Sequence, residues 1–449
     1  MRDIAVTLAV FGSLPFILRR PWIGILVWTW LGFMNPHRMA WGFSTTMPFA
    51  MIVALTTLIA MLFSKEEKRI PWERETVVLV LFTGWMFITT IFAVYSELAW
   101  LQFEKVIKIQ LMILVAMMLI TTPQRLKLLV WTIALSLAFY GVKGGIFTIL
   151  HGGVFRVQGP PGTFIGGNNE IGLALAMTIP LLYFLARSID QKWLLRSGIY
   201  AATVLTALGA IGTQSRGALL GMAAMGLMFW LKSRQKVLVA LLAAASVFAV
   251  VQVMPEAWYE RMHTIQSYEE DKSAMGRVNA WWMAFNLAKD RPLGGGFETF
   301  QRGMFALYAP DPTNSRDVHS VYFEVLGEHG FFGLALFLLL AVLTWRSAGA
   351  VARAVKKVPE RAWMGDLATM VQVSLIAYFA AGAFLGMAYF DYYYNLVLII
   401  VIVKAILHRE GLLGDAKVGR AGDASPAPGL STPIGPVPDR SAAARARAG

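Results

Sequence analysis

The chain reads as an all-α polytopic membrane protein, and three observations predict this. Of its 449 residues, 57% are apolar, against about 45–50% in a soluble domain. Only 15% are charged. The apolar residues come in long unbroken runs, without the every-other-residue alternation of a membrane barrel strand. A chain inside hydrocarbon must satisfy its own backbone, so these runs are expected to be helices. At about 20 apolar residues per crossing, the composition could supply on the order of ten to thirteen spans. The runs and loops lead to an expected fold of about 12 transmembrane helices with one large periplasmic helical loop.

In order, the runs fall near residues 4–18, 22–34, 46–63, 76–94, 106–121, 128–150, 171–186, 198–213, 217–231, 237–253, 331–345, 367–389 and 394–407. The first two are short and separated only by Arg19, Arg20 and Pro21, as in a tight hairpin. No small-residue cleavage site follows the first run, so it is expected to be a retained span and not a removed signal peptide. The net charge of +13 is read first as topology, because basic residues in short loops mark the cytoplasmic side. Five clusters do so: Lys65, Lys68 and Arg69; Arg125 and Lys127; Arg187, Lys192 and Arg196; Lys232, Arg234 and Lys236; and Arg346, Arg353, Lys356, Lys357 and Arg361. They alternate with segments 95–105, 151–170, 214–216 and 254–330, which are therefore expected to face outward, into a bacterial periplasm.

The expected organisation has N-terminal transmembrane helices over 1–253, a periplasmic loop with amphipathic helices over 254–330, C-terminal transmembrane helices over 331–407, and a disordered cytoplasmic tail over 408–449. The tail is rich in Ala, Gly, Pro, Ser and Arg and lacks an apolar period that would bury surface. Within the large loop, Ala280, Trp281, Ala284, Phe285 and Ala288 recur at helical spacing, which predicts an amphipathic helix from near Ser273 or Gly276. Asp290-Arg291-Pro292-Leu293-Gly294-Gly295-Gly296 stops it, since proline cannot continue a helix and glycine favours turns.

Cations on the outward face are costly at a membrane edge unless paired or used. Lys105 and Lys108 are expected at the outer mouth of the 106–121 span, Arg156 in the 151–170 loop, Arg216 in the turn Thr213-Gln214-Ser215-Arg216-Gly217, and Arg277 at the start of the loop helix. Any one of them can snorkel to lipid phosphates; as a set they point to a recessed anion site. Arg216 is the sharpest, because its guanidinium fork suits phosphate oxygens. His319, in Asp317-Val318-His319-Ser320, follows a polar stretch just before the chain re-enters the membrane, where a neutral imidazole can take a proton from a hydroxyl. Gly159-Pro160-Pro161-Gly162 and Gly166-Gly167-Asn168-Asn169-Glu170 read as an irregular outward loop. No cysteine, no H-x-x-x-H pair and no D-x-D pair occurs, and no phosphate-binding G-x-x-x-x-G-K-[ST] motif is present. The site is thus expected to use neither metal nor nucleotide, and no nucleic acid partner is expected.

Taken in order, these stretches resemble the O-antigen ligase and polymerase superfamily of bacterial envelope proteins. The resemblance is carried by Ser215-Arg216-Gly217 at a span start, by Gly276-Arg277 with Trp281 and Pro292-Leu293-Gly294, and by His319 to Glu324 with Glu328, Gly330 and Gly333. It covers about residues 70–407, and the N-terminal part also resembles the exosortase-associated O-glycosylation ligases. One departure is Ser320, where the family commonly shows asparagine. The resemblance implies an inner-membrane glycosyltransferase with a periplasmic active site. It would perform inverting, metal-independent transfer from an undecaprenyl-diphosphate-linked glycan to a sugar hydroxyl of lipid A–core. In that chemistry Arg216 and Arg277 clamp the diphosphate, Lys105, Lys108 and Arg156 assist, and His319 deprotonates the acceptor. An O-antigen polymerase would use a second lipid-linked glycan and a protein O-oligosaccharyltransferase a Ser or Thr, from the same donor. A secondary transporter or flippase would show related halves with mid-membrane charges, whereas here the charges cluster at the outer edge.

Overall fold

The structure is a computed structural model that describes residues 1–189, 192–232, 235–237, 240–241, 244 and 272–413. The described chain falls within one compact unit, Met1–Leu413. It is helical throughout, with no strand among the described residues. The helices are α1 (Arg2–Arg19), α2 (Trp22–Met34), α3 (Phe49–Phe63), α4 (Arg74–Ile91), α5 (Ser96–Leu119), α6 (Pro123–Leu150) and α7 (Asn168–Arg187). They continue with α8 (Trp193–Gly212), α9 (Arg216–Lys232), α10 (Lys272–Asp290), α11 (Arg302–Tyr308), α12 (Val321–Ala354), α13 (Ala362–Gly382) and α14 (Asp391–Arg409).

Seven helices among the described residues are long and apolar enough to cross a membrane: α4, α6, α7, α8, α12, α13 and α14. The other expected spans do not meet that length and apolarity among the described residues: α5 carries Glu104, Lys105 and Lys108 next to its apolar run. α2 and α3, of 13 and 15 residues, reach only about 20 and 23 Å at 1.5 Å per residue, short of the roughly 30 Å of hydrocarbon. α9 is also apolar but short, and α1 carries Arg2, Asp3 and Arg19 within its 18 residues. The span expected at 237–253 lies almost wholly outside the described residues, as do residues 254–271 of the large loop and 414–449 of the tail. Residues 408 and 409, assigned to the tail, complete α14.

Several boundaries differ from expectation. α5 begins at Ser96, ten residues before the apolar run, so Lys105 and Lys108 sit in the middle of a helix and not at its mouth. α12 begins at Val321, so the last residues of the predicted loop are already helical, and the helix is broken once, at Gly330, with φ 68°. The break leaves carbonyls without the next turn to bond. Three neighbours take them: the N–H of Gly295 donates to the Gly327 oxygen (2.9 Å), that of Gly296 to Glu328 (2.9 Å), and the Trp85 indole to His329 (2.8 Å). A methyl group on Gly330 would lie 2.0 Å from the Pro292 oxygen. The Pro292-Leu293-Gly294 stretch is therefore a clip for the broken helix, fixed on its other side by Val94 N–H donating to Gly295 O at 2.8 Å.

Short connections make consecutive helices antiparallel and sort the loops to two ends. One end carries residues 64–73, 120–122 and 355–361 with the C-terminus of α14. The other carries 92–95, 151–167, 213–215 and 383–390 with α10 and α11. α14 lies at the centre, 89% of its apolar window buried, while α8 is peripheral at 22%. α6 and α8 meet through small residues, as is usual where lipid gives no hydrophobic drive. A methyl group on Gly145 would lie 2.1 Å from the Leu205 oxygen. The core around α13 and α14 is aromatic: Tyr378 stacks on Tyr393 at 5.0 Å and donates its hydroxyl to Met387 O at 2.9 Å, which satisfies a polar tip inside an apolar body.

Candidate functional site

The loop ahead of α12 is held by α10. Asn279 is buried and donates its amide to the carbonyls of Asp311 (2.8 Å) and Asn314 (3.0 Å), while its own oxygen accepts the Asp311 N–H (2.8 Å). The hydroxyl and N–H of Thr313 hold the exposed Asp311 carboxyl below its usual range. Two residues on from Asn279, the Trp281 indole donates to Val318 O at 2.9 Å and its ring stacks on Phe323 with centroids 5.1 Å apart. At the far end of α10 the Asp290 carboxylate accepts the Tyr308 hydroxyl, which raises that phenol's pKa. The loop is thus pinned at 308, 311, 314 and 318, and its last pinned residue precedes His319.

His319 adopts a left-handed backbone with φ 41°, uncommon for a residue with a side chain. Its imidazole is 33% exposed, with Nδ1 3.5 Å from Asp317 Oδ2. Ser320 caps α12 only through its backbone, its carbonyl accepting Glu324 N–H at 2.8 Å. Its buried hydroxyl has no hydrogen-bond partner among the described residues.

The segment between α13 and α14 is where the motifs meet. A methyl group on Gly217, next to Arg216, would lie 3.3 Å from Ala381 O. One on Gly382 would lie 3.1 Å from the Val321 side chain, and one on Gly386 would lie 3.4 Å from the Glu324 carboxylate and 3.7 Å from the His319 nitrogen. Trp281 also approaches Phe384, with centroids 6.1 Å apart. Residues 381–386 therefore adjoin the start of Arg216's helix, the His319 turn and the Trp281 face. Arg277 lies one helical turn before Trp281, next to Gly276, whose added methyl would lie 2.5 Å from Arg316 Cδ.

The remaining predicted residues are distributed differently. Arg156 joins the Arg216 turn through its Nε, which donates to Gln214 Oε1 at 3.3 Å, and Gln214 in turn donates to Gly153 O at 2.9 Å. Lys108 is exposed and paired with Glu104 at 2.5 Å. Lys105 donates to Gln102 Oε1 at 3.3 Å and lines a separate cavity with Arg38 and Asp391. The structure therefore brings Arg156 to the Arg216 turn and leaves the two lysines on α5.

Sequence reasoning misses the role of two carboxylates just inside α12. Glu324 Oε2 accepts Ala388 N–H at 2.9 Å. Glu328 accepts the Tyr389 hydroxyl at 2.5 Å and the Glu298 N–H at 2.8 Å. Together they tie the 388 and 298 backbones and the Tyr389 side chain to the same helix. The signal is in the sequence: a Glu pair at i, i+4 entering an apolar run needs partners. What it does not say is which ones.

Two family models match the chain. Residues 201–338 match the family described as O-Antigen ligase, and residues 1–189 match a family of unknown function (DUF5935). No curated protein matches the chain. The first match encloses Arg216, Arg277, the Gly294 clip, His319 and both carboxylates, the stretch whose motifs adjoin residues 381–386. Over residues 201–338, about a third of its length, the chain is thus similar to the O-antigen ligase family.

Proposed function

We propose that the protein is an O-antigen ligase that transfers a glycan from an undecaprenyl-diphosphate carrier to a sugar hydroxyl of lipid A–core at the periplasmic face of the bacterial inner membrane. The observation that carries this reading is the common neighbourhood of Arg216's helix start, the His319 turn and the Trp281 face against residues 381–386.

In this reading the acceptor oxygen attacks the anomeric carbon from the face opposite the diphosphate. The carbon–oxygen bond to phosphorus breaks, the configuration inverts, and undecaprenyl diphosphate leaves. His319 takes the acceptor's proton. Its left-handed backbone and the nearby Asp317 carboxylate orient the ring. Arg216 and Arg277 bind the diphosphate in the ground state and hold its growing charge as the bond breaks, which favours the transition state over the bound donor. Arg156 acts through Gln214 on the Arg216 turn. Lys105 and Lys108 take no part, since one faces another cavity and the other is paired. The carrier bond supplies the driving force, so neither nucleotide nor metal enters.

The test is reconstitution of the purified chain in vesicles with lipid-diphosphate glycan and lipid A–core, in chelator and without nucleotide. Glycosylated core is the expected product. A lengthened lipid-linked glycan would replace the ligase reading by a polymerase, and no transfer to any sugar acceptor would overturn it.

A further inference from the structure

Four basic side chains from four separate segments surround one cavity at the end of the bundle that carries the His319 loop. It measures about 980 Å³ and is lined by Arg2 of α1, Arg38 of the turn after α2, Lys143 of α6 and Arg156 of the following loop, with His151 at its edge. Among the described lining residues there is no Asp or Glu. Cations gathered around one space without counter-charge repel each other, and an anion placed among them relieves the repulsion.

These charges border that space, and Arg38 also borders the neighbouring cavity that Lys105 and Asp391 line. Arg2 lies over the Trp41 ring, 5.3 Å from its centroid, and donates to Met39 O. His151 is held by its Nδ1 on Phe147 O at 2.9 Å. The side chains of Arg38 and Lys143 make no hydrogen bond or ion pair among the described residues. Lys143 lies seven residues before the end of α6, about 10 Å into the helix, a depth at which a lysine reaches toward a headgroup.

Apart from Gln158 and the Tyr140 hydroxyl, the rest of the lining is apolar. Phe139, Ile146 and Leu150 line the cavity and are 41%, 45% and 75% exposed on α6. A soluble anion has no use for such walls, whereas acyl chains do. We infer that this cavity binds the net-anionic, phosphate-bearing headgroup of a membrane lipid, with the phosphate among the four cations and the chains along α6. Every one of these residues lies within 1–189, the part that matches a family of unknown function. None of these lining residues belongs to the His319 turn, and Arg156 also reaches the Arg216 turn through Gln214.

The test uses the full chain in detergent, titrated with short-chain phosphatidic acid, short-chain phosphatidylcholine or inorganic phosphate, and followed by native mass spectrometry. Saturable binding of phosphatidic acid, with neither of the others binding at the same concentration, is expected. In the double variant Arg38→Gln/Lys143→Gln the half-saturating lipid concentration should rise about thirtyfold, while Arg38→Lys/Lys143→Arg should stay within about threefold of the parent. Circular dichroism melting shows whether the double variant is folded; if it is not, Lys143→Gln alone should give a rise of about fivefold. His319→Ala should bind the lipid like the parent. Parental binding by the folded neutral variants, or inorganic phosphate binding as tightly as the lipid, would overturn the inference.

Discussion

The two ends of the helix bundle use the same basic side chains in opposite ways. At the end carrying residues 64–73, cations meet carboxylates. Arg125 forks onto Glu66 at 2.7 and 2.8 Å, Arg361 does the same to Glu410 at 2.7 Å, and Lys404 sits between Glu73 at 2.9 Å and Glu75 at 2.8 Å. These pairs tie α14 to the start of α4 and α6 to the loop before α4. At the other end Arg38, Lys143 and Arg156 border an open cavity without a carboxylate among its described lining residues. The first arrangement satisfies charge internally and serves as a fastening. The second keeps a positive field for something that is not part of the chain. A count of lysines and arginines along the sequence does not distinguish them.

The contrast can be broken or sharpened by substitution. The largest effect on stability is expected at the paired end: Lys404→Met leaves Glu73 and Glu75 facing each other in a buried place, costing about 3–5 kcal/mol, which thermal unfolding in detergent would register. Unchanged unfolding would mean that the pairing is not a fastening. At the other end, His319→Ala should keep the unfolding temperature and lower glycan transfer by about a hundredfold or more. If transfer by purified, folded His319→Ala equals that of the parent, the imidazole is not the base. Arg216→Lys should retain charge and lose the fork, with transfer reduced about tenfold; a lysine variant of parental rate would make the contribution a point charge. The smallest change is expected for Ser320→Ala, which removes a buried hydroxyl that has no partner among the described residues. It should leave stability within about 1 kcal/mol of the parent or raise it slightly. A larger loss would reveal a bond that the hydroxyl makes in the membrane.

The legibility of the site varied by residue. The loop helix, its stop at Pro292 and the order of the Arg216, Arg277 and His319 motifs are local properties, written in spacing and turn residues. The apolar run at 106–121 marks where a helix is buried in lipid and not where it begins; the polar turns from Ser96 onward extend α5 beyond the run and put Lys105 and Lys108 within the helix. Glu324 and Glu328 were visible as motif members, but their partners, Ala388 and Tyr389, lie more than sixty residues away.

The sequence by itself determined that the chain is helical and apolar enough to occupy a membrane, because composition and periodicity act within a single segment. It also determined which superfamily its motifs resemble. Tertiary structure alone decided which charges are neutralised and which are left to act. That outcome depends on distances between residues such as Lys404 and Glu75, 329 positions apart, and on cations of α1, α6 and two connecting loops meeting at one cavity. The energy of a charge is set by what surrounds it, and its neighbours in space are not its neighbours in the chain.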